Sequence, residues 1–150
     1  MALDSIDFSY FIWQRAQDIY TSSKGYSLFG TNNIATYDTI NQGFLHNSWF
    51  LASLEGMENK DYKLIQQLFL NPELNEQRIY GIKFFRLGVP TIVVVDDYIP
   101  FYNTDEAAFA KPTTDKGLWP IILEKAFAKF NGSFHATELA VLPSNFGYPN

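Results

Sequence analysis

Apolar positions along the chain switch between helical and extended spacing, and the switches divide it into segments. In 8–20, Phe8, Phe11, Ile12 and Ile19, with Trp13 and Ala16, recur at helical spacing and predict an amphipathic helix. Asp7 or Ser9 is placed to cap it. Residues 21–41 hold Gly25, Gly30 and Asn32-Asn33 and predict a long connection with one short extended piece at 26–29. A loop of that length in a small domain is usually functional or packed against something. From Ser48 to Met57 the chain is apolar nearly all round, through Trp49, Phe50, Leu51, Ala52 and Leu54, so a buried central helix is expected. Asn47 or Ser48 can cap it, and Gly56 either ends it or admits a close neighbour. After the polar turn Asn59-Lys60-Asp61, the residues Leu64, Ile65, Leu68 and Phe69 mark a short helix over 62–69, which Asn71-Pro72 breaks.

The second half alternates at a shorter period. Residues 78–86 read as a half-buried strand and the β-branched run 91–100 as a buried one. The two are expected to pair as an antiparallel hairpin across Leu87-Gly88-Val89-Pro90. Residues 101–112 read as loop. A last helix is predicted over 118–130, with Pro120 harmless in its first turn, Ile122, Leu123, Ala126, Phe127 and Phe130 on its apolar face, and Asn131-Gly132 as its stop. Residues 133–150 carry Pro143, Gly147 and Pro149 and show no clear period. The class is therefore α+β, mainly α, with a small antiparallel hairpin.

Composition narrows the function classes. A chain of 150 residues with 47% hydrophobic and 17% aromatic content can build a real core and is not of the disordered class. Its 11 Lys+Arg against 16 Asp+Glu give a net charge of −5, and no basic run suggests nucleic-acid binding. There is no cysteine, which removes disulfides, thiolate metal sites and thiol nucleophiles together. No leader-like pattern opens the sequence at Met1-Ala2-Leu3-Asp4-Ser5, and no run of about 18 apolar residues exists, so an intracellular, cytoplasmic protein without membrane contact is expected. Fourteen Phe and nine Tyr are many for this length. They fit a large aromatic core, or a surface that faces a protein partner.

One stretch carries a chemical signature. Gln42, Gly43, Leu45, Trp49, Phe50, Leu51 and Ala52 match the active-site segment of calpain-type cysteine proteases, Gln-Gly-x-Leu-Gly-Asp-Cys-Trp-Phe-Leu-Ala-Ala. Two later blocks are similar to the same family: Val93-Val94-Val95-Asp96-Asp97-Tyr98-Ile99-Pro100, and the run from Trp119 through Glu124-Lys125-Ala126-Phe127 to Phe134. Together the three cover about 40–134. They divide the sequence into a divergent N-terminal segment (1–39), a calpain-like part (40–134) and a C-terminal tail (135–150), within one structural domain. The resemblance implies the first lobe of a papain-like protease core, the lobe that carries the oxyanion Gln and the nucleophilic Cys. It assigns the catalytic His and Asn to a second lobe, which is not recognised in this sequence.

The resemblance also shows what has changed. Gln42 stands at the oxyanion position and Ser48 at the nucleophile position, while His46-Asn47 replaces Gly-Asp. A cysteine protease needs a thiolate and an oriented base, and loss of one triad member costs on the order of 10⁴ to 10⁶ in rate. Ser48 therefore reads as a helix cap, Gln42 as a side chain bonded to its own loop, and His46 and His135 as surface residues. Asp96-Asp97 point to opposite faces of a strand end and suit a turn better than a shared metal. Asp105-Glu106 reads as solvated loop, and Trp49 and Trp119 as core. The family's lobes carry calcium, but the acidic pattern near Asp38 departs from it, so neither calcium nor any other cofactor or metal is expected.

The expectation is a catalytically inactive calpain-like lobe, a pseudoprotease. It would act as a structural or interaction subunit of a large intracellular assembly, with other protein subunits as its partners. Divergent relatives in cytoskeleton and cilium make an axoneme the location the resemblance implies. The alternatives are half of a split hydrolase completed by a partner chain, and a peptide-binding module using the old cleft.

Overall fold

The computed structural model describes residues 7–35, 40–58 and 64–139. Within them are the helices α1 (Ala16–Lys24), α2 (Ser48–Glu58), α3 (Leu64–Leu68), α4 (Trp119–Asn131) and α5 (Phe134–Leu139). The strands are β1 (Ile12–Arg15), β2 (Ile79–Arg86), β3 (Val89–Asp96) and β4 (Tyr98–Phe101). This is a mixed α+β fold with two small antiparallel sheets, β2-β3 and β1-β4.

The β2-β3 hairpin is the one expected, with a tighter turn. Only Leu87-Gly88 connects the strands, and both have positive φ, 51° and 79°. That is the mirror-image turn whose twist matches a two-residue hairpin. Val89 and Pro90 already lie in β3, opposite Arg86 and Phe85.

The expected strand over 91–100 is in fact two strands, cut at Asp97. Residues up to Asp96 pair with β2, and β4 crosses to β1, with Ile12 opposite Phe101 and Arg15 opposite Tyr98. The predicted helix over 8–20 is corrected by the same residue. The buried Asp97 carboxylate accepts the Gln17 N–H at 2.9 Å and Arg15 Nη1 at 3.1 Å, and its carbonyl accepts the Ala16 N–H at 2.9 Å. Those are free donors at the start of α1, so the helix begins at Ala16. It ends at Gly25, whose φ of 70° stops it. Phe8 and Phe11 instead stand edge-on to Phe109, at 5.8 and 5.6 Å between centroids, while Asp7 caps only a 3-10 turn, Phe8–Tyr10.

The main core joins Leu28 and Phe29, Phe50, Leu51 and Leu54 of α2, Ile65 of α3, Tyr80, Ile82, Val93 and Val95 of the hairpin, and the inner residues of α4. Here the expected buried central helix is corrected. Residues 119–124 of α4 are all buried, whereas α2 buries Phe50, Leu51 and Leu54 and exposes Ala52, Ser53, Glu55 and Gly56. The outward side chains of α2 are small or polar, so leaving them in water forfeits little apolar burial. Gly56 does not end α2, and a Cβ there would touch nothing among the described residues within 4 Å.

Smaller corrections follow. A lone bridge from Ser27 to Gly117 replaces the extended piece at 26–29. Of the predicted helix 62–69, Leu64–Leu68 is helical, and 59–63 fall outside the described residues. Helix α5 occupies part of the stretch read as aperiodic, while Pro143, Gly147 and Pro149 lie outside the described residues. Residues of all three sequence segments are in contact: Ala16 and Tyr20 share a cluster with Ile99 and Leu118, and Trp49 Nε1 donates to Thr137 O at 3.1 Å.

Candidate functional site

Residues 41–45 run against 107–111. Lys111 N–H donates to Asn41 O at 2.9 Å and Phe44 N–H to Ala108 O at 2.8 Å. Gly43 makes this approach possible. A Cβ there would sit 2.0 Å from Phe109 O and 2.3 Å from Ala108 O. The chain then turns through Leu45 to Asn47, and α2 begins.

Asn47 is the residue that the site is anchored by. Its carbonyl accepts the Phe50 N–H at 2.9 Å, which places it at the N-cap, with Ser48 inside the first turn. Its side chain does not cap, contrary to expectation. It is fully buried, Nδ2 donates to Glu124 Oε1 at 2.7 Å, and Oδ1 has no partner among the described residues. The second Glu124 oxygen accepts the Ala110 N–H at 2.8 Å. One carboxylate from α4 thus ties the start of α2 to the 107–111 strip. Burial pushes the Glu124 carboxyl up to about 7, against the opposing pull of the Asn47 and Ala110 hydrogen bonds. Sequence reading missed this role. The available signal was a single carboxylate between Leu123 and Ala126 in an otherwise apolar helix start.

Helix α5 braces the same loop. Glu138 accepts the His46 N–H at 3.0 Å and faces His135 Nδ1 at 3.2 Å, and Trp49 Nε1 donates to Thr137 O at 3.1 Å. Trp49 is half-buried against Phe127, and Phe50 stacks on Phe127 at 4.2 Å.

The residues at the degenerate catalytic positions are placed as follows. Gln42 Nε2 donates to Leu45 O at 2.7 Å, so this amide holds its own loop. Ser48 is exposed at the first residue of α2 rather than capping it, and its hydroxyl has no hydrogen-bond partner among the described residues. The rings of His46 and His135 are both exposed, and the hydrogen bond that His135 makes is to Glu138. A serine hydroxyl without a base is not a nucleophile at neutral pH.

The other candidates sit elsewhere. Asp96 and Asp97 share the Arg15 guanidinium, at 3.2 and 3.1 Å, and Asp96 also meets Lys125. Glu106 pairs with Lys111, and Asp105 and Glu106 donate their N–H groups to Asn103 Oδ1. Trp119 is fully buried. Asp38 lies outside the described residues. Among those described, no three His, Cys, Asp or Glu side chains converge as a metal site would require, and no helix is long and apolar enough to cross a membrane.

Beside the 41–45 segment, Tyr10, Phe11, Phe44 and Tyr102, with Asp7, line an open cavity of about 310 Å³. Tyr10, Phe44 and Tyr102 are 77%, 51% and 56% exposed.

Comparison with known proteins gives a consistent likeness. Residues 4–145 match the calpain family cysteine protease model, beyond the three motif blocks on both sides. The chain is 35% identical over 130 residues to the calpain-type cysteine protease ADL1 of Oryza sativa subsp. japonica, covering 84% of this chain and 6% of that protein. It is 35% identical over 130 residues to the calpain-type cysteine protease DEK1 of Zea mays, again 84% and 6%. Against calpain-13 of Rattus norvegicus it is 28% identical over 133 residues, or 87% of this chain and 19% of that one. The chain therefore spans only a small part of the curated relatives it matches.

Proposed function

Since the chain belongs to the calpain family of cysteine proteases, we propose that it is an inactive form of the family's nucleophile-bearing lobe, serving as a structural or interaction subunit. One observation carries this reading. The loop of the nucleophile is held in place by Gly43, Asn47 and Glu124, yet the residue it presents is Ser48, whose hydroxyl meets no imidazole among the described residues. The scaffold is kept and the reactive sulfur is not.

The aromatic cavity beside the loop supports the interaction half of the proposal. Exposed aromatic residues gathered around one concavity are the usual composition of a protein-binding surface. A cytoskeletal or axonemal assembly is the finer form of this reading, and it rests on family analogy alone. A fluorophosphonate probe tests the inactive reading. Labelling no greater than that of the denatured chain is expected. Labelling that disappears in Ser48→Ala would sink it and favour a split hydrolase, for which an exposed Ser48 at a helix start leaves room for a base from elsewhere.

A further inference from the structure

Among the described residues, the β2-β3 hairpin has one covered edge and one open edge. In its register, Thr91, Val93 and Val95 direct their backbone groups at β2, while Ile92 and Val94 direct theirs away. Gly81, opposite Val94, shows what covering looks like: its carbonyl accepts the Leu70 N–H at 2.9 Å on the far side of β2. On the β3 side, Val94 O receives Lys129 Nζ at 2.7 Å. The N–H and C=O of Ile92 and the N–H of Val94 have no protein partner among the described residues. The side chains of Ile92 and Val94 are each about half exposed.

A groove of about 480 Å³ follows this edge, lined by Arg86, Ile92, Val94, Lys129 and Phe130. It is cationic. Arg86 lies over the Phe130 ring at 4.6 Å and donates to Phe130 O at 3.2 Å. Arg15, Lys24, Arg78, Lys111 and Lys125 all have carboxylate partners, whereas Lys83, Arg86, Lys116 and Lys129 have none among the described residues, and of these four Arg86 and Lys129 line the groove. Two uncompensated cations at one groove stand out in a chain of net charge −5.

We propose that the β3 edge binds an acidic, extended segment of a partner protein, which joins the hairpin as a third strand. Main-chain bonds to Ile92 and Val94 supply affinity, as in other strand additions, and alternate side chains supply specificity. Apolar residues of the added strand lie beside Ile92 and Val94. Carboxylates on its other face meet Arg86 and Lys129. Pro90, with no N–H, ends the pairing near the hairpin tip. A second copy of this chain fits less well, because it would bring Arg86 and Lys129 up to their own counterparts. The proposal is independent of whether Ser48 is reactive.

The test uses the 150-residue chain and two fluorescein-labelled ten-residue peptides, one alternating valine with glutamate and one alternating valine with lysine. Anisotropy should show the glutamate peptide binding about tenfold or more tighter than the lysine peptide, a charge discrimination of about 1.4 kcal/mol. The preference should shrink as salt rises and reverse in the double variant Arg86→Glu, Lys129→Glu. Amide signals of Ile92 and Val94 should shift on binding. If the double variant loses its folded circular dichroism, Lys129→Gln takes its place, with a several-fold loss expected. Equal binding of both peptides, no binding of either, shifts confined to other residues, or a concentration-dependent dimer that occupies the edge would each overturn the proposal.

Discussion

Replacing Glu124 by Gln separates charge from shape at the anchor of the Ser48 loop. The carboxyl is fully buried, and its folded pKa is raised from 4.5 to about 7. The sign follows from linkage: between those values the folded chain binds more protons than the unfolded one, so stability falls as pH rises. This group's favourable contribution is complete below about 4.5 and gone above about 7. Taking 1.36 kcal/mol per unit, the loss between pH 5 and pH 8 is about 2 to 3 kcal/mol. Glutamine mimics the protonated acid. Its carbonyl can accept the Ala110 N–H, and its NH₂ can donate to Asn47 Oδ1 once that amide turns over, since Oδ1 is now without a partner. Glu124→Gln should therefore match the wild type near pH 5 and exceed it by about 2 kcal/mol at pH 8. Urea denaturation at pH 5, 6, 7 and 8, followed by tryptophan fluorescence and circular dichroism, measures the difference between the two proteins at each pH, which cancels the other titrating groups. A variant less stable than the wild type at pH 8, with a pH-independent gap, would mean that the two N–H donors outweigh desolvation, and the reasoning would fail.

Three further outcomes are expected. Asp97→Ala removes the acceptor of the Gln17 N–H and one of the two carboxylates on Arg15, and should cost about 2 kcal/mol in urea denaturation. Gly43→Ala should cost about 2 kcal/mol or more by the same measurement, since its methyl would collide with backbone oxygens that cannot rotate away. Leu87→Asn should raise stability by up to about 1 kcal/mol, read as a higher Tm, because Leu87 is 99% exposed with φ of 51° and Asn tolerates that conformation better.

Local pattern was a good guide where local forces decide. The β2-β3 hairpin and α4 lie close to where period, turn residues and a Pro-Gly frame put them. The family likeness was legible as well, because the Gln42–Ala52, Val93–Pro100 and Trp119–Phe134 blocks are contiguous in sequence. Spacing misled at 8–20, where Phe8, Phe11 and Ile12 repeat at helical intervals but serve an aromatic cluster and a strand. It misled at 48–57 because apolar composition does not say how many sides of a helix are covered.

By itself, then, the order of residues determined the β2-β3 hairpin, α4, the family, and the absence of a thiol at position 48. Tertiary structure alone decided where α1 begins, that residues 91–100 belong to two sheets, and that Asn47 turns inward to Glu124. Each of those depends on a polar group, Asp97 or Glu124, meeting donors about 80 and 77 residues away for Gln17 and Asn47. Periodicity registers which face of an element is apolar. It does not register which buried carboxylate will find which distant N–H, and here that pairing sets both the frame of the fold and the floor of the site.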